Sequence, residues 1–147
     1  MDSHQASARY PTRLVFLAAA ISCFIATTVL LPVEFMNGIL KPLNSIIFTY
    51  VPWFGISAGK MGHIAAFFLL TLCTVTIGQR FCISLLKLLA VIMVFSVATE
   101  VSQLMVDGRH TKFQDLLFNL TGVCMALAVT YMISIVSVFL RKTHRVR

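Results

Sequence analysis

Charge is what this sequence has least of. Only 12% of its 147 residues are Asp, Glu, Lys or Arg, and five are acidic, against about 25% charged residues in an ordinary soluble domain. With 59% apolar residues, a chain this short holds more apolar surface than a small globule can bury, which excludes a soluble domain. Its length leaves no room for a large catalytic ectodomain, because four or so membrane helices at about 20 residues each account for most of it. The four cysteines form neither a CxxC nor a Cys/His ligand spacing. Cys23, Cys73 and Cys124 fall inside apolar runs and Cys82 at the edge of one, so no disulfide framework and no metal site is implied. Internal repeats, low-complexity stretches and phosphate-binding glycine loops are missing too, and no cofactor is expected.

What is present is four apolar windows, at about residues 14–31, 61–78, 85–105 and 116–140. The first, LVFLAAAISCFIATTVLL, carries no charge, spans about 27 Å as a helix, and is closed by Pro32. Arg9 and Arg13 precede it as in a signal peptide. The run exceeds the usual signal length of about 7–15 residues and no small-residue cleavage site follows, so it is read as an uncleaved anchor. Residues 33–60, interrupted by Pro42 and Pro52, contain the aromatic segment IIFTYVPWF, which suits a short interfacial segment between helices 1 and 2. The expected fold is all-α: an integral membrane bundle of four transmembrane helices forming a single domain over 1–147.

The net charge of +7 takes its meaning from where the cations fall. With the N-terminus cytoplasmic, Arg9, Arg13, Arg80, Lys87, Arg141, Lys142, Arg145 and Arg147 lie inside, and Lys41, Lys60, Arg109 and Lys112 outside. The excess inside puts both termini in the cytoplasm, and the tail RKTHRVR lies against anionic lipid. Membrane lipids, not nucleic acid, are the expected partners of this charge.

The remaining polar residues then gather at the outer end. Lys60 and His63 share a face at the start of the second window, Glu100 and Gln103 close the third, Arg109 sits in the loop VDGRHTKFQ, and Asp115 and Asn119 open the fourth with Gly122. Singly, each has a structural explanation. Asn119 and Gln103 can bond across helices and Gly122 can permit close approach. Thr111 and Gln114 fit a capping box, His63 fits a satisfied core histidine, and Lys60 a lysine snorkelling from a helix end. As a set of ionisable groups at one membrane level they mark a candidate functional site, with Glu100 needing a partner at its depth. Phe16, Phe24, Phe67, Phe68, Phe95 and Phe118 read as packing or lipid-facing surface.

These residues also carry a resemblance. Lys60-x-x-His63-x-x-x-Phe67, Glu100-x-x-Gln103 and GRHTKFQDLLFNLTG, in this order and spacing, resemble the VanZ-like family of small bacterial membrane proteins over about residues 14–140. Two positions depart from the family pattern: Gly59 stands where an acidic residue is common and Asp107 where proline is common. The resemblance implies a bacterial inner (plasma) membrane location and a link to glycopeptide susceptibility, with Lys60, His63, Glu100, Gln103, Arg109, Asp115 and Asn119 as motif positions. It implies no reaction.

Three functions compete on these residues. In the first, the cluster binds or acts on an anionic, lipid-linked cell-envelope component. Lys60 and Arg109 hold its oxygens, while His63 and Glu100 are the candidate acid/base pair. In the second, the protein is a non-catalytic accessory to an envelope enzyme, and the cluster is a clasp fixing three helices. The third, an ion pathway, ranks last, since beyond the cluster spans two and four offer little except Thr74, Thr76, Thr130 and Ser134.

Overall fold

The computed structural model describes residues 15–27, 31, 33–50, 56–106 and 112–144, and among them all regular structure is helical. The helices are α1 (Val15–Thr27), α2 (Val33–Tyr50), α3 (Ala58–Arg80), α4 (Leu85–Gln103) and α5 (Phe113–His144). Three of them, α3, α4 and α5, are long and apolar enough to cross a membrane. Within the anchor expected at 14–31, residues 15–27 are helical, about 20 Å at the α-helical rise, and residues 14 and 28–30 lie outside the described residues. Leu31 is a bend, as the residue before a proline tends to be, because the Pro32 ring crowds the α conformation there.

The segment after it departs from expectation. Pro42 does not interrupt it; α2 is an 18-residue helix that runs through Pro42. The missing N–H and the ring together cost one intrahelical bond to Gly38, and the helix persists because it is strongly two-sided. Leu40 and Asn44 turn inward, Glu34, Asn37, Lys41 and Ser45 make a polar face, and Phe35, Ile39, Leu43 and Ile46 form an exposed apolar stripe.

An interhelical cap joins this helix to the bundle. The N-cap of α3 is Ser57, whose hydroxyl makes no capping bond. Instead the first amide of α3, Ala58 N–H, donates to Asn44 Oδ1 of α2 at 2.6 Å, so one of the four orphan donors of α3 is satisfied from 14 residues upstream.

The most extensive pairing is α3 with α5. They run parallel, since His63 faces Asn119 while Ile64 and Phe68 flank Gly122 further along. A Cβ on Gly122 would lie 2.3 Å from the Ile64 carbonyl oxygen and 3.0 Å from the Phe68 nitrogen. Backbone meets backbone there, the contact that small residues permit between membrane helices. Asn119, Gly122, Val123 and Ala126, at intervals of three and four, form the buried stripe of α5. Antiparallel α4 presents Ile92, Ser96, Glu100 and Gln103 to the same seam. Its stripe is apolar at one end and polar at the other, and the core follows that division. Ile25 of α1, Phe67 and Leu70 of α3, Ile92 of α4 and Val123 of α5 pack together, with Phe95 tilted against Phe67 at 6.2 Å between ring centroids.

The α3–α4 turn is tight. Ile83 N–H donates to Gly78 O at 2.9 Å, and Cys82 takes the left-handed conformation (φ 52°) that glycine more often fills at a helix C-terminus. Because α3 and α5 start nearly level, α5 with 32 residues outruns α3 with 23. The excess carries its end about 12 Å past that of α3.

Two predictions follow from the contacts. Gly122→Ala forces α3 and α5 apart and lowers the thermal midpoint in detergent, at a cost of about 1–3 kcal/mol. Gly78→Ala, whose methyl first meets the Leu88 side chain rather than backbone, shifts it less. Asn44→Ala loses the cap, about 1 kcal/mol, whereas Ser57→Ala leaves the midpoint unchanged; thermal unfolding of the two variants side by side checks this.

Candidate functional site

Immediately beyond the apolar core, towards the start of α3 and α5, one amide joins three helices. Asn119 of α5 donates from Nδ2 to Ser96 Oγ (3.0 Å) and to Glu100 Oε1 (3.2 Å), both on α4. Its Oδ1 lies 2.8 Å from His63 Nδ1 on α3. The same His63 nitrogen is 3.8 Å from Glu100 Oε1. Ser96 and Glu100 are one helical turn apart, so both reach the amide from one face of α4. Depth grades the site: Asn119 and Ser96 are 1% exposed and Glu100 4%, while the His63 side chain retains 26%.

Lys60, one turn before His63, extends toward α5 and places its ammonium 5.2 Å from the centroid of the Phe118 ring. That is a cation–π arrangement, which favours a desolvated cation without neutralising its charge. Phe118, expected to be plain packing surface, is therefore the platform for the site's outer cation.

The other expected members stand around this centre. Gln103 is buried one turn beyond Glu100 on α4. Asp115, half-buried in the first turn of α5, lies one turn before Asn119, and among the described residues no hydrogen bond or ion pair engages its carboxylate. Arg109 and Thr111, and with Thr111 the expected capping box, lie outside the described residues. Sequence reasoning missed Ser96, although its place four residues before Glu100 in an apolar run was the available signal. Among the described residues no group of three or more His, Cys, Asp and Glu converges as a metal site.

Below the core four hydroxyls close on their own helices. The hydroxyls of Thr74, Thr76, Thr130 and Ser134 each donate to the carbonyl four residues earlier, at 2.7, 2.7, 2.8 and 2.9 Å. Helical Ser and Thr satisfied in this way offer no relay between helices. Among the described residues, these four hydroxyls thus do not extend the polar junction toward the other end of the bundle.

A bundle of long apolar helices closed by a buried amide and carboxylate and a half-buried imidazole defines a helical membrane protein with a polar site at one end. The comparison with family models is specific: the model described as VanZ/LLP1 matches residues 12–136. The chain belongs to the VanZ/LLP1 family. No curated protein and no solved structure matches it.

The junction's energetics are testable through its two uncharged members. Asn119→Ala removes the bonds to both α3 and α4 and costs about 1–3 kcal/mol, whereas Ser96→Ala removes one acceptor and costs about 0.6 kcal/mol, the mean for an interhelical membrane bond. Unfolding of both variants in mild detergent measures the difference.

Proposed function

We propose that this chain is a four-span protein of the bacterial inner membrane with both termini cytoplasmic, in which α1 belongs to the first span and α3, α4 and α5 are the other three. Its polar junction lies at the extracytoplasmic end, binds or acts on an anionic, lipid-linked component of the cell envelope, and so affects glycopeptide susceptibility. The observation that carries the reading is the gradient of exposure. Half-buried Lys60 and His63 stand outside the buried Glu100 and Asn119, so a cation and an imidazole are within reach of a ligand while the carboxylate stays behind them. Lys60 and Arg109 hold the anion, His63 and Glu100 are the acid/base candidates, and Gln103, Asp115 and Asn119 complete the lining. Between the first two spans, α2 suits the headgroup plane. Its exposed Phe35, Ile39, Leu43 and Ile46 face the acyl boundary and Glu34 and Lys41 the water.

A second reading has its own support. Asn119 engages two helices besides its own, as a clasp would, and a non-catalytic accessory to an envelope enzyme needs nothing more.

Binding separates the two. With the protein in nanodiscs, a polyprenyl phosphate should bind at least tenfold more tightly than the matching polyprenol, and Lys60→Met should abolish that preference, a change of about 1.4 kcal/mol per factor of ten. Equal binding of phosphate and alcohol overturns the ligand-site reading in favour of the clasp. Retained envelope phenotype at normal protein levels in both Glu100→Gln and His63→Asn excludes acid/base chemistry.

A further inference from the structure

The orientation of one amide determines which nitrogen of His63 is available to a ligand. A carboxylate only accepts hydrogen bonds, so the group that Asn119 turns toward Glu100 Oε1 must be its NH2, at 3.2 Å. The Ser96 hydroxyl at 3.0 Å accepts from the same nitrogen. That leaves the amide oxygen facing His63, and an amide oxygen likewise only accepts. At 2.8 Å from it, His63 Nδ1 must carry the proton. In the neutral imidazole the lone pair then belongs to Nε2, on the edge of the ring turned away from Asn119.

We infer that Asn119 is a positioning residue: tied to Ser96 and Glu100, it holds His63 as the Nδ1–H tautomer and makes Nε2 the proton-accepting atom of the junction. This rests on the reading of the junction as a ligand site and sharpens it. A ligand reaches His63 as a hydrogen-bond donor, through a hydroxyl or a protonated phosphate oxygen, while its negative charge lies toward Lys60 one turn away. Glu100 acts through the amide. Its Oε1 also lies 3.8 Å from His63 Nδ1, on the Asn119 side of the ring and away from Nε2. Among the described residues, the charged groups at this level are Lys60 one turn earlier on its own helix, Glu100 on α4, and Asp115 one turn before Asn119 on α5.

The tautomer is observable without a ligand. Protein labelled with 15N-histidine is placed in nanodiscs at mildly alkaline pH, where a neutral imidazole is favoured, and the His63 ring signals are assigned by their loss in His63→Gln. A proton bonded to Nδ1 and none on Nε2 is the expected result. Asn119→Asp, whose carboxylate still accepts from Nδ1, should keep that pattern, while Asn119→Leu should lose the Nδ1–H signal in favour of Nε2–H. A wild-type neutral ring protonated at Nε2 overturns the inference, and so does an unchanged Nδ1–H signal in Asn119→Leu. If Asn119→Leu fails to fold, the wild-type tautomer and its retention in Asn119→Asp still decide. Because this readout needs no ligand, a failure of polyprenyl phosphate binding overturns the functional reading and leaves the tautomer result standing.

Discussion

Everything at the polar end depends on how closely α5 approaches α3. In a membrane the lipid is as apolar as the helix surfaces, so helices associate through backbone proximity, packing and hydrogen bonds rather than by escape from water. Gly122 supplies the proximity, since its missing side chain lets the backbone of α5 rest against Ile64 and Phe68. Asn119 lies on the same face one turn earlier, and only at that separation can its short amide span from α5 to His63. A thicker residue at 122 would separate the two helices and take His63 out of reach of the amide.

The second constraint is electrostatic. An ionised carboxylate inside a membrane helix costs about 2.5–3.5 kcal/mol at the helix centre on insertion scales. Glu100 reduces that cost in two ways. It lies three residues from the end of α4, and it accepts from Asn119 on a neighbouring helix. The amide that satisfies Glu100 is thereby oriented, and its orientation constrains His63. Structural and functional readings of the junction therefore meet on the same atom pair. A residue that clasps three helices also determines the chemistry offered at their surface.

The periphery is tied to the same end. Asn44 caps α3 from α2, so the amphipathic helix and the first turn of α3, which carries Lys60, are held together. Lys60 in turn rests over Phe118 of α5. From α2 through α3 to α5, the groups around the junction are linked by one capping bond and one ring contact, each from a residue that looks unremarkable in the sequence.

The apolar windows and their polar ends were legible in the sequence because hydropathy is a local property, summed over about 20 residues. On that basis α3, α4 and α5 were expected close to where they stand, and His63, Glu100 and Asn119 could be assigned to one end. Helix spacing along the chain was enough for that. Other features were beyond it. The persistence of α2 through Pro42, the capping of α3 by Asn44 in place of Ser57, the role of Phe118 under Lys60 and the place of Ser96 all depend on contacts between helices distant in sequence. A hydrogen bond is directional and acts over about 3 Å, so no count of residues along the chain can reveal which way an amide faces. Composition and the order of apolar windows determined that this is a helical membrane protein with a group of ionisable residues at one end. Only the packing of α3, α4 and α5 decided that one asparagine joins them, and which nitrogen of His63 it leaves open.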